Sequence, residues 1–157
     1  MLYETIDLTI EDNIAVLTLN RPAVMNALNA QMRAEILHAV RHSTKVARVL
    51  VMTGTGTAFC SGQDLNDRGV VGKIDLERGL REEYTPMLQA ITDSPIPTIS
   101  AVNGPAAGAG ANLALAADVV IAADSAYFIQ AFTRIGLMPD AGGTYTLPRR
   151  IGLAKAM

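Results

Sequence analysis

Residues 96–117 read Ile96-Pro97-Thr98-Ile99-Ser100-Ala101-Val102, then Asn103-Gly104-Pro105-Ala106-Ala107-Gly108-Ala109-Gly110, then Ala111-Asn112-Leu113-Ala114-Leu115-Ala116-Ala117. A β-rich run, a turn of Asn, Gly and Pro, and a run of Ala and Leu predict in order a strand over 96–102, a loop over 103–110 and a helix over 111–117. Glycines 104, 108 and 110 allow close backbone approach, and a helix starting there points unpaired N–H groups and a positive dipole end at its neighbour. An anion or a developing oxyanion fits such a place. The alternative is that Gly and Ala only let the helix pack closely on a sheet. Spacing alone favours packing, because a glycine cluster by itself is a weak motif. The run lacks the third glycine of a dinucleotide fingerprint and has no clear acidic partner about 20 residues on. The chain also has no Gly-Lys-Ser/Thr phosphate loop and no Gly-x-Ser-x-Gly elbow, so dehydrogenase, NTPase and serine hydrolase readings lose ground.

Outward from this unit, strands and helices alternate. Residues 2–10 and 14–19 read as strands joined by a hairpin turn at Glu11-Asp12-Asn13. Asn29 is placed to cap a helix whose apolar Met32, Ile36 and Val40 recur at fours, with Arg33, Glu35 and Arg41 on other faces. Residues 48–53 read as a buried strand, and the Gly-, Thr- and Ser-rich loop over 54–68 is longer than most connections, as functional loops often are. Leu76, Leu80, Tyr84, Leu88 and Ile91 mark a second amphipathic helix that Pro86 is expected to kink. Short strands over 119–123 and 126–129 precede a loop over 136–143 and a helical stretch over 144–150. Residues 152–157 look like the first turns of another helix without a stop signal, so the chain is expected to end mid-element. The order predicts one α/β domain over 1–157 built from repeated strand-strand-helix or strand-helix turns rather than a sandwich.

The 157 residues are 50% hydrophobic and 18% charged, which excludes disorder and predicts a well-buried interior. Thirteen Lys and Arg against fifteen Asp and Glu give a net charge of -2, which argues against nucleic acid or an anionic membrane surface as partner. The N-terminus lacks the pattern of a signal peptide, and the weakly charged stretch 94–117 is too broken by Pro and Gly for a membrane helix. Cys60, the single cysteine, excludes an intramolecular disulfide and fits a reducing compartment, so a cytoplasmic location is expected. His38 and His42 are four apart, but no third metal ligand is evident and Arg41 adjoins them, which favours a solvated helix face. No histidine near Cys60 in sequence could activate it, so it reads as a small buried side chain. Asp140 is different: between Arg134 and Arg149 it is the only charged residue. It is either a desolvated base or the cap of the following helix, and the pattern leaves both open.

Four segments together are similar to the crotonase (enoyl-CoA hydratase/isomerase) superfamily. They are Asn20-Arg21-Pro22 with Asn26-Ala27-Leu28, Phe59-Cys60-Ser61-Gly62-Gln63-Asp64-Leu65, Ala101-Val102-Asn103-Gly104 through Gly110, and Pro139-Asp140-Ala141-Gly142-Gly143-Thr144. The resemblance implies a spiral of ββα units, of which residues 1–157 would be the N-terminal core, truncated before the C-terminal helices. It implies an acyl-CoA thioester substrate, no resident metal or redox cofactor because coenzyme A belongs to the substrate, and a homo-oligomer, a trimer or a dimer of trimers. It also implies an oxyanion hole of two backbone N–H groups, carried over to Gln63 and Ala109. The nucleotide end would lie along Ala23, Val24 and Met25, and the loop carrying Cys60, Ser61, Gly62, Asp64 and Leu65 would line the pantetheine channel. Gly108, Asn112 and Phe132 would complete the substrate contacts. Two fixed N–H donors aimed at a thioester enolate are worth about 3 kcal/mol each in a dry site, which gives the glycine loops a chemical reason.

The chain departs from the hydratases of that superfamily at both of their glutamates: Asn112 stands at one position and Phe132 at the other. Water addition by paired carboxylates is therefore not expected. Asp140 remains as a single base able to remove a proton α to the thioester and return it elsewhere, with Asn112 positioning substrate or water. Among single-aspartate members the segments look most like the enzymes that convert ring 1,2-epoxyphenylacetyl-CoA to an oxepin-CoA in phenylacetate degradation. The alternatives are Δ3,Δ2-enoyl-CoA isomerisation and, from another class, non-catalytic acyl-CoA binding.

Overall fold

The computed structural model describes residues 2–67 and 76–157. The far end of the long loop, at Arg68, and the side chain of Leu76 lie outside them. β1 (Ile6–Glu11) and β2 (Ile14–Leu19) form the expected antiparallel hairpin, turned by Asp12 and Asn13 at φ of 50° and 61°. Positive φ at both central residues gives the turn whose twist matches the strands, and Asp and Asn tolerate it. β1 starts at Ile6, later than the sequence suggested, because the N–H groups of Glu4 and Thr5 donate to the Glu35 carboxylate, 2.9 Å each, instead of joining a ladder.

α1 (Ala30–Val46) is capped by Asn29, whose side chain accepts from the Met32 N–H at 2.9 Å. Met32, Ile36 and Val40 face the core as expected, and His38, Arg41 and His42 lie on the exposed face. Arg33 and Glu35 do not share that exposed face: both are buried, at 5% and 7% exposure. Each is tolerated there because its hydrogen-bonding capacity is met, Glu35 by Glu4, Thr5 and Gln31.

β3 (Val49–Gly54) and β4 (Thr98–Val102) continue the sheet parallel to β2. Next come β5 (Ala106–Ala107), β6 (Val119–Ala122) and β7 (Phe128–Ile129). The main sheet runs β1-β2-β3-β4-β6, while β5 and β7 pair in a second small parallel sheet that a Cys60–Ala106 bridge extends. The helices are α2 (Leu76–Gly79), α3 (Thr85–Thr92), α4 (Ala109–Ala116), α5 (Gly143–Ile151) and α6 (Leu153–Ala156). β4–β5–α4 and β6–β7–α5 are thus successive ββα turns that send one strand to each sheet. No helix among the described residues is long and apolar enough to cross a membrane.

Two local details shape the site. Ahead of Pro86, residues Leu80–Tyr84 form a π-helical turn in which the Thr85 N–H reaches the Leu80 carbonyl, so the helix widens to accommodate a residue with no N–H. α4 starts at Ala109 rather than at residue 111, which makes the Ala109 N–H the first of that helix. The wholly buried Asn26, at φ 56°, donates from Nδ2 to the carbonyls of Thr55 at 3.0 Å and Ala58 at 2.9 Å and accepts from the Arg21 N–H at 2.9 Å. The Asn20-Arg21-Pro22 to Asn26 segment is therefore the clamp on the loop that follows β3.

Burial alone would raise the Glu35 carboxyl, but the bonds from Thr5, Glu4 and Gln31 outweigh it and hold it below the usual carboxylate range. A lowered folded value adds stability that is complete at neutral pH and lost as pH falls through that value. Glu35→Gln should cost about 1–3 kcal/mol at pH 7 and flatten the acid side of the stability curve, read by denaturant unfolding between pH 3 and 7.

Candidate active site

The loops after β3 and β4 are sewn together by backbone. The Phe59 and Cys60 N–H groups donate to the Pro105 carbonyl at 3.0 and 3.2 Å, and the Ala107 N–H donates to the Cys60 carbonyl at 2.9 Å. Two glycines permit this approach. Gly62 has φ 97°, and a methyl group on it would lie 2.7 Å from the Ala107 carbonyl oxygen and 3.5 Å from the Ala109 nitrogen. A methyl group on Gly110 would lie 2.7 Å from Cys60 Sγ. The consequence is that Gln63 and Ala109 come to one wall of a cavity of about 650 Å3. Among the described residues, neither backbone N–H is donated to another protein group, and that of Ala109 stands at the positive end of α4.

Asp140 enters the same cavity from the turn before α5, among Phe132, Ile135, Leu137 and Met138. The cap of α5 is Gly142, with no side-chain bond, so the carboxylate does not cap that helix. Burial pushes the Asp140 carboxyl above the usual carboxylate range, opposed only by its own backbone N–H. Asp67 and Glu83 also line the cavity, but both are paired with Arg33.

Arg33 and Tyr84 are the participants that the sequence did not reveal. The Arg33 guanidinium donates to the Leu28 carbonyl at 2.8 Å, to Gln63 Oε1 at 3.2 Å and from Nε to Glu83 at 2.7 Å, and it lies 4.9 Å from the Tyr84 ring centroid. The Tyr84 hydroxyl donates to the same Gln63 oxygen, and burial raises its pKa so that it stays a neutral phenol. This cluster locks the Gln63 side chain and with it the peptide that carries the free N–H. Its members are 30 and 50 residues away from Arg33 in sequence at Gln63 and Glu83, and no local pattern marks such pairs.

The remaining sequence-chosen residues divide. Ser61, Gly62, Leu65, Gly108 and Phe132 line the cavity. Cys60, Asp64 and Asn112 stand behind its wall. Cys60 is wholly buried, its Sγ donates to the Asn26 carbonyl at 3.1 Å, and burial pushes the thiol up to about 12. Asp64 is buried in an ion pair with Arg21 at 2.8 Å, which holds its carboxyl below the usual range against the opposing effect of burial. It anchors the loop from behind. Asn112 is wholly buried and bonded at both ends of its amide. Ala23 and the 53% exposed Met25 sit on the outer surface beside Ser61, whose N–H donates to the Met25 carbonyl at 2.9 Å. A smaller groove of about 330 Å3 between α1 and α3, lined by Arg41, Thr44 and Asp93 among others, contains none of these residues.

The profile of the Enoyl-CoA hydratase/isomerase family matches residues 9–157. The chain belongs to the enoyl-CoA hydratase/isomerase family. It is 63% identical over its whole length to a Rhodobacter capsulatus protein named as a probable enoyl-CoA hydratase, of which it covers 61%. Over 94% of its length it is 46% identical to the 1,2-epoxyphenylacetyl-CoA isomerase of Escherichia coli, covering 58% of that protein. The crystal structure of an enoyl-CoA hydratase from Bacillus anthracis matches 98% of the chain at 32% identity and a TM-score of 0.86, with 60% of that structure covered. The chain thus spans about three fifths of the length of these family members. In this family member the two N–H groups are set by the fit of one loop to the other. Gly62→Ala, at a φ where a Cβ is strained and with its methyl group against the Ala107 carbonyl, should push the loops apart and cost about 1–3 kcal/mol of stability, measured by denaturant unfolding.

Proposed function

We propose that this protein is an acyl-CoA isomerase, acting on ring 1,2-epoxyphenylacetyl-CoA to give an oxepin-CoA. The observation that carries the reading is the desolvated Asp140, without an ion-pair partner among the described residues, in one cavity with the Gln63 and Ala109 N–H groups, which are likewise undonated among those residues. Asp140 takes a proton from the carbon α to the thioester carbonyl, and the electron pair moves onto the carbonyl oxygen, where the two N–H groups hold the enolate. An isomerisation changes no composition: as the carbonyl re-forms, the enolate pair makes a double bond between the α-carbon and the ring, the ring C–C bond spanned by the epoxide oxygen breaks to open the seven-membered ring, its electrons shift along the ring double bonds, and the proton taken is returned at a ring carbon. One carboxyl group suffices for both transfers, and the coenzyme arrives with the substrate.

Hydration asks for more. It needs a second group to handle the proton of water, whereas Asn112 is an amide facing away from the cavity and Phe132 is apolar. That favours isomerisation over the reaction in the name of the Rhodobacter relative, and the name of the Escherichia coli relative supports the epoxide as substrate. Δ3,Δ2-Enoyl-CoA isomerisation uses the same three groups and is the second reading. We take the working protein to be a cytoplasmic homo-oligomer of trimeric type, with Ala23 and Met25 beside the nucleotide end of the ligand.

Asp140→Asn in the full chain should lower turnover of the epoxide by about 10³-fold, and persistence within a few-fold would refute the assignment. Rates on a 3-enoyl thioester and on the epoxide decide between the two isomerisations. A protein that binds both without exchanging α-protons in heavy water is a binding protein and not an enzyme. Because the Asp140 carboxyl is raised and must be ionised to act, the acid limb of kcat/KM should fall above the ordinary aspartate value of about 3.9.

A further inference from the structure

We propose that Asn112 is a positioning residue that ties the base Asp140 to the helix carrying the oxyanion donor Ala109. The inference rests on Asp140 being the base. Asn112 Nδ2 donates to the Asp140 carbonyl oxygen at 2.8 Å, and Asn112 Oδ1 accepts from Gln130 Nε2 at 2.7 Å. The same Asp140 oxygen accepts from the Gly143 N–H at 2.8 Å, so two donors fix its peptide plane. The next residue, Ala141, has φ 46°, a conformation a residue with a Cβ holds only when its surroundings enforce it. Gly143 packs so closely that a methyl group on it would lie 2.6 Å from Asn112 Nδ2.

The carboxylate itself has no such support. Among the described residues only the Asp140 backbone N–H is directed at it. Its position in the cavity is therefore inherited from its main chain, and among the described residues Asn112 is the one side chain that hydrogen-bonds to that main chain. Asn112 also lies in the first turn of α4, with its own N–H on the Gly108 carbonyl at 3.1 Å. One amide thus spans the distance between the group that takes the proton and the N–H that receives the charge. The position requires a donor toward Asp140 and an acceptor toward Gln130. An amide supplies both, whereas an ionised carboxylate would set an oxygen against the Asp140 carbonyl.

The test is a double-mutant cycle in the full chain with Asn112→Ala and Asn112→Asp, each alone and with Asp140→Asn. The readouts are kcat and KM on the epoxide thioester and α-proton exchange of phenylacetyl-CoA in heavy water. A misplaced base predicts kcat and exchange down about 10²-fold at nearly constant KM, and no further loss when Asp140 is already Asn. Gln130→Leu, which removes the partner that orients the amide, should move kcat in the same direction by less. The proposal is overturned if the folded Asn112 variants turn over at the wild-type rate, if KM alone changes, or if the fractional loss is equal in both backgrounds. Should the Asn112 variants not fold, Gln130→Leu is judged by the same three criteria. An active Asp140→Asn protein would refute the assignment of the base, whereas an inactive one beside fully active Asn112 variants would refute only the positioning role.

Discussion

The parallel pairing of β3 with β4, Leu50 against Thr98 and Met52 against Ser100, is the constraint from which the site follows. Neighbouring parallel strands end at the same edge of a sheet, so the loops that leave them emerge side by side. β6 is parallel to β4 and delivers the turn leading to Phe132 and Asp140 beyond the same edge. What each loop brings there is mostly main chain. The bonds between Pro105, Phe59, Cys60 and Ala107 set the spacing of the two free N–H groups, and the side chains of Gln63 and Ala109 are not the donors. Backbone donors held on both sides by hydrogen bonds need no reorganisation when charge develops on a substrate oxygen.

Electrostatics inside the cavity depend on keeping two opposite demands apart. An unpaired arginine near Asp140 would stabilise its ionised form and lower its basicity. Arg33 lines the same cavity, yet its charge is answered by Asp67 and Glu83, and the guanidinium acts as a brace for Gln63 and Tyr84. Burial is left as the main influence on Asp140. A carboxyl raised by desolvation is a stronger base than a solvated one.

The alternation of strands and helices was legible in the sequence because it rests on local periodicity and on turn chemistry, as at Asp12-Asn13 and Asn29. The glycine run 103–110 also announced itself, since close approach of backbone requires residues without a Cβ. The side of a wall on which a polar loop residue stands is not a local property. Cys60, Asp64 and Asn112 lie within or beside the motifs that mark the site, yet each turns away from the cavity toward a partner distant in sequence: Asn26, Arg21 and Asp140. Arg33 and Glu35 escaped for the same reason. Their positions on α1 look solvent-facing until the N-terminal segment and the Gln63 loop close over them. The start of β1 shifted because a side-chain carboxylate took the backbone donors that a ladder would have used.

The geometry around residue 112 bears on how one scaffold can host different proton chemistry. The backbone donors do not depend on the side chains at positions 112, 132 and 140, so those three can vary while the donors stay in place. They do not vary independently, however. Asn112 is bonded to the Asp140 main chain, and Gly143 lies against its amide without room for a Cβ. Placing a carboxylic acid at 112 would not by itself add a second acid to the cavity. The new group would face a carbonyl oxygen, behind the wall, and would loosen the turn that carries Asp140. A change to two-carboxylate chemistry therefore requires the turn over 139–143 to move together with residue 112, which makes the position of Asp140 and the identity of residue 112 one coupled choice.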